Sequence, residues 1–70
     1  MIDISSLSER DIGSWVIYRK GPRTNRGRIL RWNDRFIYVV FWCGTNDWKN
    51  FRNYAATATL PDDLEFDVSQ

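Results

Sequence analysis

The chain has 70 residues, enough for one domain (residues 1–70) and a core of limited size. It has no histidine and a single cysteine, Cys43, which excludes an internal disulfide and a zinc site and fits a reducing compartment. The net charge of +1 names no partner, so core bulk must come from four tryptophans, four phenylalanines and three tyrosines, each able to bury roughly 150–250 Å².

In chain order, Ser8-Glu9-Arg10-Asp11 suits one helical turn with Ser8 as N-cap, ended by Gly13. Ser14 to Arg19 alternates, Val16 and Tyr18 on one face and Trp15 and Ile17 on the other, which predicts a strand. Lys20 to Asn25 reads as a loop around Gly21-Pro22. Arg26 to Trp32 and Phe36 to Trp42 then form the most informative stretch, two strands rich in aromatic and β-branched residues. Asn33-Asp34 between them tolerates the positive φ of a hairpin turn. Gly27 marks a bend or bulge. The third strand is apolar on both faces, which predicts a central position covered on both sides.

Cys43 to Asn53 is irregular, with one helical turn capped by Asn46 or Asp47 that groups Trp48, Phe51 and Arg52. Tyr54 to Thr59 favours a short strand, although its alanines also permit helix. Pro61-Asp62-Asp63-Leu64 reads as a 3₁₀ turn before a last strand, Leu64 to Phe66, and Asp67 to Gln70 should fray. The expected class is all-β: a small five-stranded SH3-like or Tudor-like barrel with a short N-terminal helical turn, its core spanning about residues 12–66. An open antiparallel sheet with the N-terminal turn packed across it is the other arrangement.

The run Leu7-Ser8-Glu9-Arg10-Asp11-Ile12-Gly13-Ser14-Trp15-Val16-Ile17-Tyr18 resembles the opening of small SH3-like proteins of tailed phages and prophages. Gly27-Arg28-Ile29, Trp32-Asn33 and Phe36-Ile37-Tyr38-Val39 are similar to that family's central hairpin. Tyr54-Ala55-Ala56-Thr57-Ala58-Thr59 with Pro61-Asp62-Asp63-Leu64 is similar to its close. The resemblance covers about residues 7–66. It implies the barrel and a phage or prophage origin, hence the host cell cytoplasm, but no mechanism, because its motifs are structural.

The residues argue against catalysis. General acid–base chemistry most often uses histidine, Asp62 and Asp63 are adjacent turn residues that point apart, and Cys43 has no histidine to activate it. No cofactor and no metal are expected. No stretch approaches the ~20 apolar residues of a membrane span, and Met1 to Ser6 lacks the features of a secretory signal.

Charge is split along the chain. Arg19, Lys20, Arg23, Arg26, Arg28, Arg31 and Arg35 face only Asp34, whereas Asp47, Asp62, Asp63, Glu65 and Asp67 face only Lys49 and Arg52. The first six cations are candidates for a nucleic-acid-binding rim, although Arg28 and Arg31, three apart, would lie on opposite faces of a regular strand. They could equally solubilise the barrel and pair with the acidic half.

Trp42, Trp48, Phe51 and Arg52 are candidates for a protein-binding hot spot, where Trp, Tyr and Arg are enriched. Alternatively these rings plug the open end of the barrel. A cage for a methylated cation would need aromatics from the first loop as well, which has none. The expectation is a non-enzymatic binding module with a protein partner, a host or defence factor given the phage resemblance. Nucleic-acid binding through the arginine rim is the alternative, and the protein is a monomer or weak homodimer.

Overall fold

The computed structural model describes residues 1–67. Its strands form one five-stranded antiparallel sheet in the order β4-β3-β2-β1-β5: β1 is Trp15–Lys20, β2 Arg23–Trp32, β3 Ile37–Val40, β4 Thr57–Thr59 and β5 Leu64–Phe66. The helical segments are short 3₁₀ turns at Ile4–Ser6, Glu9–Asp11, Trp48–Asn53 and Pro61–Asp63.

Local chemistry accounts for the turns. Asp3 Oδ1 accepts from the Ser5 backbone N–H at 3.0 Å, and Asp11 Oδ2 accepts from the Ser8 N–H at 2.9 Å. Each interaction satisfies a donor that so short a helix leaves unpaired. Ile2 is buried, and its N–H donates to the Pro61 carbonyl at 3.0 Å, tying the start of the chain to the last turn.

The first hairpin is tighter than the sequence suggests. Lys20 pairs directly with Arg23, so the loop expected over residues 20–25 contracts to Gly21-Pro22. Gly21 takes φ +60°. The proline ring confines Pro22 to negative φ, and that combination belongs to a II′-type turn, whose twist matches the flanking strands. Arg23, Thr24 and Asn25 are therefore strand residues.

The second hairpin also departs from expectation. Neither Asn33 nor Asp34 adopts positive φ. Instead the Asn33 side-chain carbonyl accepts from the N–H groups of Arg35 and Phe36, both at 2.8 Å, and the turn is built around that side chain. The third strand is shorter than the expected Phe36 to Trp42, because Phe36 belongs to the turn, its carbonyl accepting from the Asn33 N–H at 3.0 Å, and Phe41 and Trp42 leave the ladder.

The bulge lies three residues beyond Gly27. Ile29 pairs with Val39 but Arg31 pairs with Tyr38, so Leu30 is the extra residue. Gly27 has a different role: a Cβ there would lie 2.5 Å from the Val40 carbonyl oxygen and 2.7 Å from a Val39 methyl. Only a residue without a side chain allows the backbones to approach so closely.

The sheet carries apolar clusters on both faces. Ile2, Val16, Ile29, Ile37, Val39 and Leu64 form one, joined by Tyr18, Trp32 and Phe41. Val40, Cys43 and Phe51 form the other, joined by Ile12, Leu30, Trp48 and Tyr54. β3 is thus covered on both sides, as its sequence predicts. Only residues 60–63 connect β4 to β5, although these strands end the sheet on opposite sides. Across a flat sheet they would be about 19 Å apart. A segment largely in a 3₁₀ turn, rising about 2 Å per residue, does not span that distance, so the sheet curls.

Candidate functional site

The bulge decides where the arginines point. Arg28 pairs with Val40 and Arg31 with Tyr38, two residues apart on β3, so both arginines lie on one face. The expected separation onto opposite faces is overturned by the extra residue, Leu30, which restores the phase of the strand.

That face is a layered stack of rings and guanidinium groups. The Arg26 guanidinium lies 4.2 Å from the centre of the Trp15 ring, and Trp15 packs on Trp48 with ring centres 4.7 Å apart. Arg28 lies between Trp15 and Phe51, at 5.4 and 4.4 Å. Its Nε donates to the Gly13 carbonyl at 2.7 Å and its Nη1 to the Trp48 carbonyl at 2.8 Å. Arg28 is therefore half-buried and engaged inside the domain.

Two further members of the strip are engaged with the acidic half. Arg26 Nε meets Asp67 Oδ2 at 2.6 Å, and Arg19 Nε lies 3.5 Å from Glu65. The Arg19 pair is exposed on both sides and contributes little to stability. Arg31 lies over Tyr38, 4.7 Å from the ring centre. Lys20 and Arg23, at the hairpin tip, are exposed and have no carboxylate at ion-pair distance among the described residues. The six candidate cations thus do not form one continuous free rim.

The aromatic candidates also divide. Phe51 is buried, 5% exposed, and belongs to the second core. Trp48 is half-buried against Trp15. Arg52 is exposed, its guanidinium 5.7 Å from the centre of the Phe51 ring. Trp42 stands apart at 71% exposed, packed edge to face on Tyr54 with ring centres 6.2 Å apart.

Tyr54 is held in turn by its hydroxyl, which donates to Asp47 Oδ2 at 3.1 Å. Asp47 Oδ1 also accepts from the Asn50 side chain at 2.8 Å. The hydrogen bond to Asp47, with burial second, pushes the Tyr54 hydroxyl above its ordinary pKa. Nearby, burial and then the charge of Asp47 push the Cys43 thiol up, partly opposed by Arg28. A buried, protonated thiol is a poor nucleophile.

No family model matches this chain, no curated protein matches it, and no solved structure matches its fold.

The roles of Tyr54 and Asp47 in holding Trp42 were not singled out from the sequence. The signal is present in weak form: an acid within the longest irregular segment, Cys43 to Asn53, and an aromatic just after it. The half-buried position of Arg28 had no sequence signal, because it depends on Gly13 and the Trp48–Asn53 turn packing over β2.

Proposed function

We propose that this chain is a non-enzymatic binding module of the SH3-like barrel type that contacts a protein partner through the Trp42 face. The carrying observation is Trp42 itself, a large ring 71% exposed and backed by Tyr54, which the Asp47 hydrogen bond fixes in place. An exposed tryptophan backed by a second ring brings a large apolar area to a partner, as interface anchors do. Arg52 and Lys49, both exposed on the neighbouring turn, would supply the charged rim.

The barrel reading is supported by the five-stranded order, the curl imposed by residues 60–63 and the 3₁₀ turn before β5. The resemblance of residues 7–66 to phage proteins supports a phage or prophage origin and a partner in the host cytoplasm, a host or defence factor. The module acts as a monomer or weak homodimer. Nucleic-acid binding through the arginine strip is the weaker reading, since Arg19 and Arg26 are paired and Arg28 is internal.

The test is affinity capture from host lysate with tagged wild type and Trp42→Ala, each with and without nuclease. A stoichiometric protein that survives nuclease and is lost with Trp42→Ala supports the reading. Capture that disappears with nuclease and ignores Trp42→Ala would move the function to the arginine strip.

A further inference from the structure

A cleft of about 360 Å³ opens on the face of the first core, away from the Trp42–Tyr54 pair on the second. Tyr18 and Phe41, half-buried and edge to face at 5.9 Å, lie at its base. One lip is the tip of the first hairpin, with Lys20 and Asn25. The other is the whole of β4, Thr57–Thr59, continued by Leu60 and Asp63.

We infer that this cleft takes an extended acidic peptide, laid along β4 as an added strand. β4 pairs with β3 on one side and ends the strand order, so its other side carries no ladder among the described residues. Such an edge presents backbone donors and acceptors to which an extended chain can pair. Alternate side chains of the added strand then turn toward the aromatic base of the cleft.

Charge selects the acidic character. Lys20 and Arg23 face each other directly across the hairpin, with no carboxylate at ion-pair distance among the described residues. Like charges directly opposite destabilise a sheet, and a bound carboxylate relieves that repulsion. Asp63, on the other lip, directs the peptide's acidic group to the hairpin side.

The probe is the capped peptide Asp-Glu-Val-Thr-Val-Thr, titrated into the isotope-labelled full chain and followed by amide shifts. A matched peptide beginning Lys-Lys and a short oligothymidylate are titrated alongside. The acidic peptide should shift amides of residues 57–60 and 18–25 and slow hydrogen exchange in β4. The double variant Lys20→Glu, Arg23→Glu should weaken the acidic peptide by more than about tenfold and admit the Lys-Lys peptide. Lys20→Gln alone is the milder variant should the double one lose its native spectrum, and it should weaken the acidic peptide severalfold. Trp42→Ala should leave this binding unchanged, so the cleft and the Trp42 surface fail or stand separately. Absent or scattered shifts, equal binding of both peptides, or stronger binding of the oligothymidylate at the same amides would overturn the inference.

Discussion

The Arg28 guanidinium carbon lies 4.4 Å from the centre of the Phe51 ring, and the same guanidinium donates to the Gly13 and Trp48 carbonyls. One side chain of β2 thereby fastens the entry to β1 and the Trp48–Asn53 turn to the second core. Arg28→Ala should cost about 2–3 kcal/mol, since two charge-assisted bonds are lost and two carbonyls are left without that partner. Arg28→Lys should recover less than half, because an ammonium lacks the planar fork that reaches both carbonyls. Urea unfolding of the three proteins measures this directly.

Phe51 and Trp42 should separate folding from binding. Phe51→Ala removes a buried ring from the second core and should cost about 3–5 kcal/mol, enough to unfold much of so small a domain. Trp42→Ala should leave stability within about 0.5 kcal/mol. Thermal melts of both variants give the contrast, and a large loss on Trp42→Ala would assign that ring to packing.

At Gly27 the prediction concerns a single methyl group. Gly27→Ala would place it 2.5 Å from a backbone oxygen, and backbone moves less readily than a side-chain tip. The expected loss is about 1–3 kcal/mol, the range of an overpacked core. A neutral result in denaturant unfolding would show that β3 can move away at little cost.

Alkaline pH should weaken the fold through Tyr54 and Cys43. Both pKa values are raised in the folded state, so the folded chain holds these protons more tightly than the unfolded one. Their contribution is complete below the unfolded pKa values, about 8.5 for Cys43 and 10 for Tyr54, and is lost as pH rises through the folded ones. The melting temperature should therefore hold through neutrality and fall from about pH 8.5 upward. Tyr54→Phe and Cys43→Ala should each flatten that fall while starting from a lower value at pH 7. An unchanged slope in both variants would assign the alkaline loss to other groups.

Sequence pattern was most legible where one residue type has one physical consequence. The unbroken apolar run Ile37-Tyr38-Val39-Val40 predicts a strand buried on both sides, and Pro61 followed by two aspartates predicts the 3₁₀ turn before β5. Turn geometry was less legible: Gly21-Pro22 could begin a loop or make a two-residue turn, and only the Lys20–Arg23 pairing decides. Site assignment was the least legible, because it depends on phase. The bulge at Leu30 moves Arg28 and Arg31 onto one face, and the second core then draws Arg28 and Phe51 inward while Trp42 stays outside. No local preference encodes which of several tryptophans the curl of a sheet will leave uncovered.

The two-residue turn at Gly21-Pro22 also bears on the order of assembly. β1 and β2 close across a very short loop, at low entropic cost and on the timescale of an isolated hairpin. The β1–β5 ladder joins residues from opposite ends of the chain, such as Val16 and Phe66. It can form only after a much longer loop has closed. Folding should therefore run outward from the first hairpin, with β5 the last strand to dock. Until it docks, the outer edge of β1 stands open, and that interval is when two chains growing side by side are most able to exchange their final strands.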